Sequence, residues 1–297
     1  MKTSYLPRIL ISLILLLLVS VSPIAAKPKL PPNVELLSGV KFGSGGGRAL
    51  LMEILRPRKR SAEALPALVW VHGGGWRGGD RFGGLTKLLP FTQAGYFCAS
   101  IEYRLSQEAV FPAQIQDCKC AIRFLRAQSI KYNLDPQKIG AWGGSAGGHL
   151  VALLGTSGDV KALEGSGGWP DASSRVQAVC DWFGPADLRG LARASPDAVL
   201  PVTQLLGGAV AERPELAAQA SPVCYVTPDD PPFLIMHGDR DQLVPVSQSI
   251  LLDEALRKAG VDAKLIIIPG AGHGFGGAEQ IQAVREFFDR VLRGYIR

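Results

Sequence analysis

From residue 138 the chain reads Lys138-Ile139-Gly140-Ala141-Trp142-Gly143-Gly144-Ser145-Ala146-Gly147-Gly148-His149-Leu150. A short apolar run leads into Gly-x-Ser-x-Gly, with Ser145 at its centre, and a second apolar run follows. A strand that turns this abruptly into a helix needs glycine on both sides of the serine to avoid clashes. The turn lifts the serine hydroxyl clear of the sheet, at the positive end of the helix. Ser145 is therefore the candidate nucleophile.

Upstream, Leu68-Val69-Trp70-Val71 runs directly into His72-Gly73-Gly74-Gly75-Trp76. Glycines just past a strand's carboxyl end let the backbone bend so that N–H groups point into a site. Such preset donors stabilise a developing oxyanion, each by about 10²–10³ in rate. A P-loop phosphate cradle is excluded, because no Gly-Lys-Ser/Thr follows a strand. Further apolar runs at 34–40, 49–55, 97–102, 176–181, 233–237 and 264–268, with 67–72 and 139–142, predict eight strands. Continuous runs such as Leu265-Ile266-Ile267-Ile268 suit strands covered on both faces. Helical patterns fall at 112–127, 146–154, 247–259 and 279–292; the first carries Ile115, Cys118, Ile122 and Leu125 on one stripe. Alternating strands and helices predict an α/β chain, mostly parallel, with helices on both faces. Stretches 155–175 and 184–232, rich in Gly, Pro, Ala and Ser, read as insertions beyond the sheet's carboxyl edge, where such folds bind ligands.

A serine nucleophile needs a base, and the chain has four histidines. His72 belongs to the glycine turn, His149 to the helix after Ser145, and His237 to the end of a buried strand. His273 lies in Pro269-Gly270-Ala271-Gly272-His273-Gly274-Phe275, an open loop after the last strand, and is the candidate base. The acid that orients it should come from His237-Gly238-Asp239-Arg240-Asp241, where either Asp239 or Asp241 can serve. The chain order serine, acid, histidine is that of the α/β-hydrolases.

The glycine turn 72–76, the elbow 143–147, His237-Gly238-x-x-Asp241 and Gly272-His273-Gly274 resemble an α/β-hydrolase esterase across nearly all of residues 27–297. Glu102-Tyr103-Arg104-Leu105, Phe111-Pro112-Ala113-Gln114 with Asp117, and Asp181-Trp182-Phe183-Gly184-Pro185 with Asp187 resemble the bifunctional acetylxylan and feruloyl esterases (BD-FAE). The resemblance implies Ser145 as nucleophile, Asp241 rather than Asp239 as the acid, and His273 as base. It also implies oxyanion donors at Gly74, Gly75 and Ala146. The expected activity is serine carboxylic-ester hydrolysis of short acyl or hydroxycinnamoyl esters on plant polysaccharide, with no cofactor and no metal. Trp76 and Trp182 are expected to border the mouth and stack on substrate. The His-Gly-Gly-Gly turn is also similar to that of hormone-sensitive-lipase-type esterases, but only 45 residues separate Lys27 from His72, too few for their helical cap. Alternatives are a general, lipase-like carboxylesterase, a small peptidase and a non-catalytic hydrolase-fold binding protein.

The N-terminus reads as an address. Lys2 and Arg8 precede an apolar run at 9–21 that ends in Ser22-Pro23-Ile24-Ala25-Ala26, so residues 1–26 are expected to be a secretory signal peptide. The run is short of the roughly 20 residues of a membrane span. We therefore expect a secreted or periplasmic single domain over 27–297, without stable membrane insertion after cleavage. Among 297 residues, 47% are hydrophobic and 20% charged, which excludes a disordered or collagen-like chain. The net charge of +6 includes Lys2 and Arg8, and the remaining surplus is too small to point to nucleic acid. Five cysteines leave at least one thiol unpaired; Cys180–Cys224 is the favoured disulfide, and buried free thiols are the alternative.

Overall fold

The structure, a computed structural model, describes residues 30–158 and 160–295. The expected signal peptide lies outside the described residues. The strands are β1 (Val34–Gly45), β2 (Arg48–Pro57), β3 (Leu65–Val71), β4 (Phe97–Ile101), β5 (Leu134–Gly144), β6 (Ala178–Trp182), β7 (Phe233–Gly238) and β8 (Ala263–Ile268). They form one eight-stranded sheet in the order β1-β2-β4-β3-β5-β6-β7-β8. β1 and β2 pair antiparallel, β2 is antiparallel to β4, and every other pair is parallel. This is the mostly parallel α/β-hydrolase sheet that the sequence predicts.

The helices are α1 (Leu85–Gln93), α2 (Ala113–Ala127), α3 (Ser129–Tyr132), α4 (Ala146–Thr156), α5 (Leu188–Ala194), α6 (Pro196–Leu206), α7 (Pro214–Gln219), α8 (Ser247–Lys258) and α9 (Ala278–Arg293). Strand side chains alternate between the two faces. Ala67, Val69 and Val71 of β3 join the core under α2, α4 and α8, while Leu68 and Trp70 join the core under α1 and α9. Central strands are buried throughout, which is why they read as unbroken apolar runs. Gly140 is small because α9 presses there: a Cβ would lie 2.7 Å from the Phe288 ring.

The segment between β6 and β7, read as an insertion, contains α5, α6, α7 and a 3-10 turn at Pro222–Tyr225. Asp187 caps α5 by accepting the Arg189 N–H, and α6 buries Ala198, Val202, Leu205 and Leu206. The other insertion is held by Glu164, which takes Lys119 Nζ at 2.8 Å on one oxygen and Arg123 Nη1 at 2.6 Å on the other.

The favoured disulfide is absent: all five cysteines are free. Cys180 is buried in the core under α1 and α9, whereas Cys224 is exposed on the turn that packs against α4, across the sheet. The sheet itself separates the two thiols. Among the described residues no helix is long and apolar enough to cross a membrane.

Candidate active site

Four strand ends meet at the sheet's carboxyl edge, where open α/β folds assemble ligand sites. β5 delivers Ser145, β3 the glycine turn, β7 the aspartate turn and β8 the histidine loop. Ser145 sits between β5 and α4 with φ 57° and ψ −124°, a conformation L-residues rarely adopt. Its N–H donates to Trp182 O at 2.9 Å, which fixes the elbow to β6. The flanking glycines have specific steric causes. A Cβ on Gly143 would lie 2.3 Å from Gly147 O, and one on Gly147 2.1 Å from Val71 O. The Gly-x-Ser-x-Gly pattern is thus the imprint of a helix packed directly onto two strand ends.

His273 Nε2 lies 2.9 Å from Ser145 Oγ, and His273 Nδ1 lies 2.7 Å from Asp241 Oδ2. The three residues form one hydrogen-bonded chain. Asp241 Oδ1 accepts the N–H groups of Leu243 and Val244, both at 2.9 Å. Its Oδ2 also lies 3.2 Å from Nε2 of the buried His237. Burial alone would raise its pKa, but bonds from His237, His273 and the Val244 N–H outweigh burial and hold it below the usual carboxylate range. The carboxylate is therefore ionised where His273 needs it. His237 is fixed in turn: its Nε2 faces Val244 O at 2.8 Å, so Nδ1 accepts the Ser249 hydroxyl at 2.6 Å.

Asp239 lies elsewhere. It is exposed and accepts the Gly270 N–H at 2.7 Å, tying the turn after β7 to the end of β8. His72 is buried, stacked on Tyr103 at 4.2 Å, and kept from charging by burial. Gly73, Gly74 and Gly75 line the cleft beside Ser145, and a Cβ on Gly73 would lie 3.3 Å from the Ser145 Cβ. Ala146 is the first residue of α4 and is buried.

The cleft above Ser145 has a volume of about 740 Å³. Trp70, Trp182, Phe183 and Phe275 form an aromatic wall, with the Phe183 ring 4.8 Å from His273 and 5.0 Å from Phe275. Arg77, Lys87, Asp197 and Pro201 also border it. Trp182 lines the inner wall of the cleft, but at 1% exposed its ring belongs to the core and presents no open stacking face. Trp76 does not line the cleft. It is buried beneath the turn, 3% exposed, and its indole N–H donates to His149 Nδ1 at 3.1 Å. An indole has one polar atom, and here His149 captures it, turning the ring inward. Trp70 and Phe183 were missed as cleft residues because their neighbours in sequence are core positions, whereas Phe275 was missed although it stands two residues past His273 in the open loop. Asp197 and Pro201 come from α6, whose docking over the site has no local signature.

Residues 52–256 match the BD-FAE family model. The chain belongs to the BD-FAE family of α/β-hydrolase esterases. A BD-FAE chain of this kind is similar to the esterase LipQ of Mycobacterium tuberculosis, 33% identical over 83% of this chain and 59% of LipQ. The chain therefore spans little more than half the length of that relative. Among solved structures it is similar to a truncated form of a carbohydrate esterase from gut microbiota. That pair has a TM-score of 0.80 and 33% identity, covering 87% of this chain and 96% of the other. It is also similar to a bifunctional GH43-CE of Bacteroides eggerthii, with a TM-score of 0.76 and 33% identity over 86% of this chain and 35% of that one.

Proposed function

We propose that this BD-FAE chain is an exported serine esterase that removes short acyl or hydroxycinnamoyl groups from plant cell-wall polysaccharide. The observation that carries the chemistry is the unbroken chain from Ser145 Oγ through His273 to Asp241, at 2.9 and 2.7 Å. Ser145 gives its proton to His273 Nε2 as Oγ attacks the ester carbonyl, and the carbonyl electron pair moves to oxygen. N–H groups of Gly74, Gly75 and Ala146 receive that oxyanion. Collapse expels the alcohol, which takes the proton from His273. A water then repeats the cycle on the acyl-enzyme and releases the acid and free Ser145. Asp241 accepts Nδ1–H throughout and stabilises the imidazolium.

Support for the substrate class comes from two sources. Phe275, the partly exposed ring of the aromatic wall, offers a face for a sugar or a feruloyl ring, and such a stacking contact adds about 0.5–1.5 kcal/mol beyond burial. Two structural neighbours carry carbohydrate-esterase names. Export rests on the basic-then-apolar N-terminus of the sequence. A second reading, a general carboxylesterase, is favoured by the likeness to LipQ. A turnover profile over acetylated xylan, methyl ferulate and nitrophenyl esters from acetate to palmitate separates the two. We expect acetyl to butyryl esters, acetylated xylan and methyl ferulate to be cleaved, with a steep fall beyond about eight carbons. Faster turnover of palmitoyl than acetyl esters, with none on xylan, returns the chain to the second reading. N-terminal sequencing of protein from a bacterial periplasm or culture medium tests export; retention of residues 1–26 overturns it.

A further inference from the structure

His149 lies on α4, and nothing in the ester-hydrolysis steps uses it. It is fully buried, yet both ring nitrogens are engaged. The Trp76 indole N–H lies 3.1 Å from Nδ1, and Ala220 O lies 2.6 Å from Nε2. An indole nitrogen only donates and a carbonyl only accepts. The two partners therefore demand one tautomer, with Nδ1 bare and the proton on Nε2. Burial supports it by lowering the imidazole pKa to about 4, so the ring stays neutral through the working range.

The three elements joined at this ring matter. Trp76 directly follows Gly74 and Gly75, and all three residues have left-handed φ values of 108°, 60° and 58°. For a tryptophan that conformation is strained, so it persists only where surroundings impose it. His149 belongs to α4, four residues beyond Ser145, and its own N–H donates to Ser145 O at 2.9 Å. Its backbone is thus tied to the nucleophile's residue while its ring grips the glycine turn. Ala220, at the end of α7, closes the insertion onto the same ring.

We propose that His149 is a positioning residue that fixes the Gly74–Gly75 turn relative to Ser145, through the Trp76 indole. This inference rests on the esterase reading above. The bond holds the donors where the oxyanion forms rather than where the substrate carbonyl rests. Its loss weakens binding of the transition state more than that of the ester.

The test compares kcat and KM, on nitrophenyl acetate, of Trp76→Phe, His149→Gln and His149→Asn. Trp76→Phe keeps the flat bulk and deletes the donor. His149→Gln carries its amide at the Nε2 position and deletes the acceptor for Trp76. His149→Asn places its amide oxygen near the Nδ1 position and serves as the conservative rescue. Expected are falls in kcat of about 10–100-fold for Trp76→Phe and His149→Gln, with KM within about threefold. The inhibition constant of a trifluoromethyl ketone, whose hemiketal oxyanion occupies the same donors, should rise by the same factor. His149→Asn should recover most of kcat. The Trp76→Phe/His149→Gln double variant should be no slower than the worse single one, because both delete one bond. Rates are normalised to the folded fraction by circular dichroism. Single variants with wild-type kcat per folded molecule, or kcat losses that the ketone does not follow, overturn the proposal. A wild-type chain with no ester turnover overturns the esterase reading itself, and this inference with it.

Discussion

Asp241 shows how much a single carboxylate's surroundings decide. One oxygen is saturated by two backbone N–H groups, leaving the other for His273 and His237. An amide in place of that second oxygen would point N–H at His273 and demand the wrong tautomer. Asp241→Asn is therefore expected to lower kcat/KM by orders of magnitude. Asp239→Asn keeps the oxygen that the Gly270 N–H needs and should cost less than about tenfold. The reverse ranking in steady-state kinetics would move the acid to Asp239. Ser145→Ala should lower kcat by roughly 10⁴-fold or more without changing the far-ultraviolet spectrum. Labelling by a fluorophosphonate at another serine would contradict that assignment. Asp181 makes a different prediction. It is fully buried; desolvation raises its pKa to about 6, against the Gly184 N–H and His237, which pull it down. A raised carboxyl pKa means the folded state holds a proton that the unfolded chain has released. Stability is thus lost as pH climbs from about 4 to about 6, by on the order of 2–3 kcal/mol. Asp181→Asn retains an oxygen for Gly184 N–H, and should raise the thermal midpoint at pH 7 but not at pH 4. Equal effects at both pH values would remove the electrostatic explanation.

At the level of elements, α4 is the part on which the site depends. It approaches β3 and β6 so closely that Gly147 and Gly148 have no room for side chains; a Cβ on Gly148 would lie 2.3 Å from Asp181 Oδ1. Gly147→Ala drives a methyl into Val71 O and must push the helix outward. We expect a loss of roughly 1–3 kcal/mol, read by chemical denaturation, with loss of activity even in the folded fraction. A variant of wild-type activity would mean the elbow tolerates that shift. The eight strands and the helices α2, α4, α8 and α9 were readable because periods of two and of 3.6 are local properties, whereas α1 and α3 were not foreseen. The helices of the insertion were missed among its Gly, Pro, Ala and Ser. Yet α6 carries signals that could have found it: Pro196 at its start, Gly207 just past its end, and a buried stripe at Ala198, Val202, Leu205 and Leu206.

The whole molecule is a sheet with a core on each face, and the catalytic edge spans both. Phe288 of α9 anchors the core opposite α4, fully buried and seated over Gly140. Phe288→Ala should cost about 3–5 kcal/mol in stability. Because it lies away from the cleft, kcat per folded molecule should stay within about twofold. A large fall in kcat, measured where the variant is fully folded, would show that α9 packing reaches the site. The same two-faced sheet explains why the favoured Cys180–Cys224 bridge does not form, since one thiol lies on each side.

By itself the sequence determined the α/β alternation, the elbow serine, the histidine loop, the glycine turn and the family resemblance. These are written in local periodicity and in glycines that close contacts require. The resemblance already implied Asp241 over Asp239; only the tertiary structure showed the contact with His273 that selects it, turned Trp76 inward onto His149, and assembled the aromatic wall with α6 over the cleft. Those outcomes depend on which side chains meet across strands far apart in the chain. Spacing along the backbone carries no record of such meetings.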